Sequence, residues 1–237
     1  MSGKNIAIIT ARGGSKRIPR KNIKDFLGKP IIYYSIKAAL ESKIFETVMV
    51  STDDEEIAGI CVKYGAEIPF LRSAETSNDQ ATTEDVIKEV ILEYQNRGRI
   101  FDCICCFYPT APFVTGETIR KAMDALWSSS ADSIIPIVKF SYPPQRSFVL
   151  RNGKLTMKYS EFLETRSQDL EEWYHDCGQF YCVKTPAFLK HGEILTDNTI
   201  PFLISELEVQ DIDTEEDWKL AEMKYMFLHK DLSTSKN

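Results

Sequence analysis

The sequence predicts an α/β fold: a single doubly wound, mostly parallel sheet, with a small arm of hairpin and helical turns. Three observations lead there. Short apolar runs alternate with amphipathic helical patterns through the first two thirds of the chain, and such alternation implies right-handed crossovers between parallel strands. A glycine loop directly follows the first apolar run, where sheets of this kind bind ligands. The rhythm then breaks after Pro143-Pro144 and resumes near residue 179, which marks an insertion.

The elements follow in order. A first strand is expected at 5–11. Pro30, in a favoured first-turn position, opens a helix carrying Ile31, Tyr34, Ile36, Ala38 and Leu40. Strand 46–52, helix 55–64 and strand 67–71 come next. Thr82 or Thr83 caps a helix to about residue 96, on which Val86, Ile87, Val90, Ile91 and Tyr94 repeat at helical spacing. A buried strand at 102–107, a helix at 116–127 and a strand at 133–138 continue the pattern. Asn152-Gly153 between the apolar runs of 148–158 signals a hairpin, and an acidic, aromatic stretch fills 159–175. Strands return at 179–183 and 201–209. Thr214 then caps a last helix with Glu215, Glu216 and Asp217 in its first turn, where the helix dipole favours negative charge. The reading is one domain over 1–230, with an arm inserted at about 140–178, and a polar tail at 231–237. Arms of this kind commonly make dimers, so a homodimer is expected.

Composition narrows the function. With 237 residues, 43% of them hydrophobic, the chain can bury one substantial core. A net charge of −6 argues against a nucleic-acid surface. No run of about 18 apolar residues suggests a membrane span, and the short burst at 6–9 is poor material for a secretory signal. Cys103, Cys105 and Cys106 fall inside the buried strand 102–107, Cys61 lies on a helical pattern, and no Cys/His spacing matches zinc. Reduced, buried thiols in a cytoplasmic protein are the expectation.

Against this acidic background, Arg12, Lys16, Arg17, Arg20 and Lys21 crowd into one ten-residue stretch. Gly13 and Gly14 let backbone amides approach a phosphate, and Ser15 adds a hydroxyl donor. Arg12 and Lys21 are placed to neutralise charge growing on a departing pyrophosphate. The pattern matches neither a P-loop nor a dinucleotide fingerprint. A second candidate is Asp211-Ile212-Asp213. Extended at a strand end, its two carboxylates share a side and could grip one hard cation; the same residues also read as an ordinary acidic helix entrance.

The run Arg12-Gly13-Gly14-Ser15-Lys16-Arg17-Ile18-Pro19-Arg20-Lys21-Asn22 resembles the signature loop of the acylneuraminate cytidylyltransferases, or CMP-sialic acid synthetases. The resemblance extends to Leu27-Gly28-Lys29-Pro30-Ile31, Ser51-Thr52-Asp53-Asp54, Pro109-Thr110-Ala111-Pro112 and Asp211-Ile212-Asp213. It implies a nucleotide-diphospho-sugar transferase-like domain with a dimerising arm. The implied reaction joins CTP to a nine-carbon 2-keto acid (nonulosonic acid) sugar and releases pyrophosphate. It also implies Mg2+ on Asp211 and Asp213, with Arg12, Lys21 and Asp211 catalytic. Nucleotide contacts fall on Ala11, Arg12, Gly13, Gly14, Ser15, Lys21, Asn22, Arg72 and Thr83, with Asp79 organising the loop.

The sugar side departs from the commonest family pattern. Tyr108 stands where that pattern has an amide, and Pro144-Gln145-Arg146 replaces a segment carrying a lysine. The runs 166–170 and 173–181 resemble the branch acting on pseudaminic acid, which is the expected sugar, ahead of sialic or legionaminic acid. Tyr108, Gln145, Arg146, Arg166 and Tyr181 are the expected sugar contacts, with Arg146 and Arg166 on its carboxylate. His175 is read as packing or positioning. The rival readings are a glycosyltransferase with an Asp-x-Asp metal motif and a non-catalytic nucleotide-binding protein.

Overall fold

The computed structural model describes residues 3–229, so the expected tail at 231–237 lies outside the described residues. β1 (Asn5–Thr10) is followed by a two-residue ribbon, β2 (Asp25–Phe26) and β3 (Lys29–Pro30), and then by α1 (Ile32–Ser42). β4 (Thr47–Ser51), α2 (Glu55–Lys63), the single turn α3 (Ala74–Ser77), α4 (Thr83–Asn96), β5 (Cys103–Phe107), α5 (Gly116–Trp127) and β6 (Ser133–Lys139) complete the alternating part. The main sheet runs β11-β6-β10-β5-β1-β4, where β10 is Phe180–Lys184 and β11 is Thr199–Leu203. β4, β1 and β5 pair in parallel, as do β6 and β11; β10 is reversed between β5 and β6. The sheet is therefore mostly parallel.

Strand residues alternate between two cores, as a sheet covered on both faces requires. Ala7 and Ile9 pack with Ile36, Ala39, Ile119 and Met123 of α1 and α5. Ile6 and Ile8 pack with Ile87, Val90 and Ile91 of α4 and with Phe188 of α6 (Thr185–His191). A third cluster lies off the sheet. Ile18, Phe26, Ile31 and Tyr34 join Ile212, Trp218 and Ala221, tying the basic loop to the start of α7 (Glu215–Leu228). All six cysteines are free and buried.

Several boundaries differ from the sequence reading for local reasons. Pro30 pairs with Asp25 in the ribbon, and α1 starts two residues later. The expected strand at 67–71 shrinks to a single bridge, Glu67 to Met49, because Pro69 has no N–H to continue a ladder. The expected strand 201–209 starts earlier, at Thr199. It ends at Leu203, and Ser205 then caps a 3-10 turn by accepting from the Leu207 N–H. Of the two candidates Thr82 caps α4, and Thr214 caps α7 as expected, each in a reciprocal capping box with an aspartate three residues on.

The arm departs from β6 after Lys139. It carries a free-standing hairpin, β7 (Phe148–Arg151) and β8 (Lys154–Met157), turned by Asn152 and Gly153, both with positive φ. It rejoins through β9 (Tyr174–Asp176), antiparallel to the end of β6. Among the described residues no helix is long and apolar enough to cross a membrane.

Candidate active site

A cavity of about 620 Å³ opens beyond the carboxyl ends of β1 and β5, where a parallel sheet presents its loops. Of the expected residues, Arg12, Ser15, Lys21, Asn22, Arg72, Thr83 and Tyr108 line it. Ala11, Gly13 and Gly14 belong to the same loop without lining the cavity.

The loop is held from both sides. The Ala11 N–H donates to the Ser51 carbonyl at 2.9 Å, and the Gly13 N–H donates to Asp53 Oδ1 at 2.9 Å. A Cβ on Gly13 would lie 2.7 Å from Asp54 Oδ2, so any other residue forces the loop or Asp54 to shift; Gly14 has nothing within 4 Å of such an atom. Buried Asn22 closes the loop by donating to the Arg12 carbonyl at 2.9 Å. Arg20, itself left-handed at φ 55°, grips Asp54 and Glu56. That hydrogen bond from Arg20 pushes the Asp54 carboxyl down to about 2. Asp53 and Asp54 therefore shape the loop, a role the sequence reading did not assign. The cap position of Asp54 before α2 was a legible signal; the reach of Asp53 to Gly13 was not.

Each cation facing the cavity from the loop meets an oxygen of the chain. Arg12 bonds Asp79 Oδ1 at 2.7 Å and the Asn78 carbonyl at 3.2 Å, and Lys16 bonds Asp79 as well. Both cations hold the Asp79 carboxyl below its ordinary range, Lys16 contributing most. Lys21 Nζ donates to the Ile212 carbonyl at 2.6 Å and lies 3.7 Å from Asp213 Oδ1; Arg17 meets Asp213 Oδ2 at 2.5 Å. Arg72 is different. Its guanidinium is buried and bonds Ser51 Oγ at 2.9 Å and the Ser51 carbonyl at 2.5 Å, and it makes no ion pair among the described residues. Burial lowers its proton affinity. Asp53 and Glu89 offset its charge only from a distance, and a buried guanidinium without a close ion pair is suited to an anionic ligand in the cavity.

Asp211 and Asp213 flank buried Ile212 in an irregular segment ahead of α7, not at a strand end. Asp213 is half-buried against the loop cations and Asp211 is exposed. No cluster of three or more His, Cys, Asp or Glu that could hold a metal exists among the described residues.

Four of the expected sugar contacts do not line the cavity. Buried Gln145 donates to the Glu171 carbonyl at 2.9 Å. Arg146 caps the arm's turns, donating to the carbonyls of Phe162, Leu163 and Thr165. Arg166 is exposed on the arm. Tyr181 stands behind Tyr108, ring edge to ring face at 5.6 Å. Long polar side chains within the arm have carbonyls nearby to satisfy, a competition that motif matching does not register. His175 packs on Phe140 at 4.7 Å, away from the cavity.

Comparison with known proteins follows the same line. The family profile described as Cytidylyltransferase matches residues 6–186. The chain is 41% identical over 227 residues to a pseudaminic acid cytidylyltransferase of Campylobacter jejuni, covering 95% of this chain and 98% of that protein. It is 32% identical to the CMP-N,N'-diacetyllegionaminic acid synthase of Legionella pneumophila, covering 92% and 94%. The fold matches a CMP:2-keto-3-deoxy-manno-octonic acid synthetase complexed with CTP, with a TM-score of 0.69, 16% identity and coverage of 96% and 99%.

Proposed function

The chain belongs to the cytidylyltransferase family, and from that premise we propose that it converts CTP and a nonulosonic acid, pseudaminic acid first, to the CMP-sugar and pyrophosphate. The observation that carries this reading is the convergence of Arg12, Lys21 and buried Arg72 on one cavity, with Asp213 at its edge. That array suits a triphosphate. The anomeric hydroxyl of the sugar attacks the α-phosphorus in line, and Arg12 and Lys21 take up charge on the leaving pyrophosphate. To do so they exchange Asp79 and the Ile212 carbonyl for phosphate oxygens.

Asp211 and Asp213 are the residues that would hold a divalent cation, Mg2+ in this reading. Their hard carboxylate oxygens fit it, because magnesium takes one or two protein carboxylates and leaves other positions to phosphate and water. When bound, the ion offsets phosphate charge.

Tyr108 supports the choice of sugar. Pseudaminic acid ends in a methyl group where sialic acid carries a glycerol tail. An aromatic wall strands those hydroxyls, at about 1–3 kcal/mol for each unpaired buried group. We also infer a homodimer through the arm, whose Phe148, Leu150, Leu155 and Leu163 are all more than half exposed and gain by burial against a second copy. The free thiols suit a reducing cytoplasm.

The test is pyrophosphate release with CTP and a panel of pseudaminic, legionaminic and N-acetylneuraminic acids. Pseudaminic acid should lead sialic acid by about 30-fold or more in kcat/KM, the equivalent of two stranded hydroxyls. Equal use of sialic acid would leave the reaction and overturn the substrate; no release with any of them would overturn the reaction.

A further inference from the structure

Behind the cavity wall, four polar side chains stand in series. Asp176, the last residue of β9, uses both carboxylate oxygens. Oδ1 accepts the Gly178 N–H at 2.8 Å, turning the chain through left-handed Gly178, and Oδ2 accepts the Tyr181 hydroxyl at 2.6 Å. The Tyr181 ring meets the Tyr108 ring edge-on at 85°. Tyr108 is pinned through its backbone, its N–H donating to the Gln179 carbonyl at 2.9 Å and its own carbonyl accepting from Ser35 Oγ at 2.8 Å. Its hydroxyl lies 3.1 Å from Thr83 Oγ1, on the first residue of α4. Tyr108 and Thr83 line the cavity; Asp176 and Tyr181 do not.

We propose that Asp176 is a positioning residue for the acceptor sugar, acting through Tyr181 on the orientation of Tyr108. The proposal rests on the function proposed above and deepens it. A tyrosine ring at a cavity wall can swing about χ1 and χ2 unless its neighbours stop it. Here the edge of Tyr181 stops it on one side and Thr83 at the tip. Tyr181 is in turn packed in the core beside β5, and its hydroxyl is fixed by the Asp176 carboxylate. Burial, with Asp176 and Tyr108 adding to it, keeps the Tyr181 hydroxyl protonated far above neutral pH, so it remains a donor. The expected sugar contact at Tyr181 thus becomes an indirect one, and Asp176 enters a role that no motif in the sequence suggested.

The arrangement predicts which substrate feels the loss. The nucleotide-facing cations are anchored elsewhere: Arg72 on Ser51, Arg12 on Asp79, and Lys21 on Ile212. Thr83, the one expected nucleotide contact in the series, is held by the start of α4, so freeing Tyr108 should disturb the acceptor more than CTP. β9 is also the strand by which the arm rejoins the sheet, so the same carboxylate ties the arm to the cavity wall.

The test is steady-state pyrophosphate release by Asp176→Asn, Tyr181→Phe and the double variant, varying each substrate in turn. Tyr181→Phe keeps the ring and removes only the hydroxyl. The acceptor KM should rise about fivefold in each single variant, less than a hydrogen bond to a carboxylate supports directly because the effect reaches the sugar through the Tyr108 ring, while the CTP KM stays within about twofold. The double variant should fall short of the sum of the singles, since Tyr181→Phe removes the donor of the link that Asp176→Asn weakens. An unchanged acceptor KM in Tyr181→Phe, additive effects, or an equal rise in both KM values overturns the proposal. Wild-type turnover reports on the reaction and the variant-to-wild-type ratio on the chain of contacts, so the two readings fail separately. The same cycle read by thermal unfolding reports whether Asp176 holds Tyr181, whatever sugar is used.

Discussion

Gly13→Ala tests how rigidly the cation loop is set. The added Cβ would sit 2.7 Å from Asp54 Oδ2 and 3.1 Å from Asp54 Cβ, where ordinary contact begins at 3.4 Å. One side must yield by about 0.7 Å in a close-packed region. The carboxylate is poorly placed to do so. It accepts the Ile57 N–H at 3.0 Å as the cap of α2, it is gripped by Arg20, and its Cβ cannot rotate away. The loop therefore moves, also stretching the 2.9 Å bond from the Gly13 N–H to Asp53. Overpacking of this kind costs about 1–3 kcal/mol, and each kcal/mol lowers Tm by roughly 2–4 °C in a chain of this size. Because the shift carries Arg12 and Ser15 with it, kcat/KM for CTP should fall about 10- to 100-fold. Gly14→Ala is the control: its Cβ meets nothing within 4 Å and its φ is not positive, so Tm should not move. Calorimetry and a pyrophosphate-release assay read both effects. Wild-type Tm and kcat/KM in Gly13→Ala, or a larger destabilisation in Gly14→Ala, would refute the account of the loop.

Three further outcomes are expected. Lys21→Ala should lower kcat about 10²-fold, as loss of one well-placed electrostatic donor does, while the sugar KM changes little; a change confined to the sugar KM would remove Lys21 from the leaving-group role. Asp211→Ala and Asp213→Ala should each abolish metal-dependent turnover and leave the circular-dichroism spectrum and Tm near wild type, because Asp213 pairs mainly with exposed Arg17; magnesium-dependent activity in both variants would displace the metal from this pair. Asp54, whose carboxyl is held at about 2, stabilises the fold above the unfolded carboxyl's value near 4, and that contribution fades as pH falls from about 4 to about 2. Asp54→Asn should therefore be about 1–2 kcal/mol less stable at pH 6, discounted for the partial exposure of the pair, and the gap should shrink to about a third of that by pH 2.5 in urea titrations.

Much of the fold was legible because periodicity records burial. Val86, Ile87, Val90, Ile91 and Tyr94 share a helical stripe, and all five are buried on α4. The strand expected at 67–71 failed because apolar content says nothing about whether Pro69 can continue a ladder. The cavity residues of the basic loop were legible for a similar reason: glycines and cations at a strand end have few other uses. Gln145 and Arg146 do not line the cavity, because a guanidinium or an amide serves a carbonyl of its own arm as readily as a ligand, and the sequence does not show which.

The meeting of the two charged motifs shows where local reading stops. Arg17 and Asp213 are 196 residues apart and form an ion pair at 2.5 Å. Neither charge brings the other there, since exposed pairs of this kind contribute little. The apolar residues between the charges do. Ile18 on the loop and Ile212 between the two aspartates are both buried in one cluster with Phe26, Tyr34 and Trp218, and each fully buried isoleucine contributes about 1.5–3 kcal/mol. Polar neighbours of a buried residue are carried to the surface of its cluster, so Arg17 and Lys21 on one side face Asp213 on the other. Trp218→Ala tests that logic without altering Arg17, Lys21, Asp211 or Asp213, although Lys24 loses the ring beneath its Nζ. It should loosen the cluster at a cost of about 3–5 kcal/mol and lower the affinity for the metal with the CTP-facing residues intact. If metal affinity, measured by magnesium titration of activity at saturating CTP, is unchanged in a folded Trp218→Ala protein, the packing of Ile18 against Ile212 is not what aligns the carboxylates with the loop.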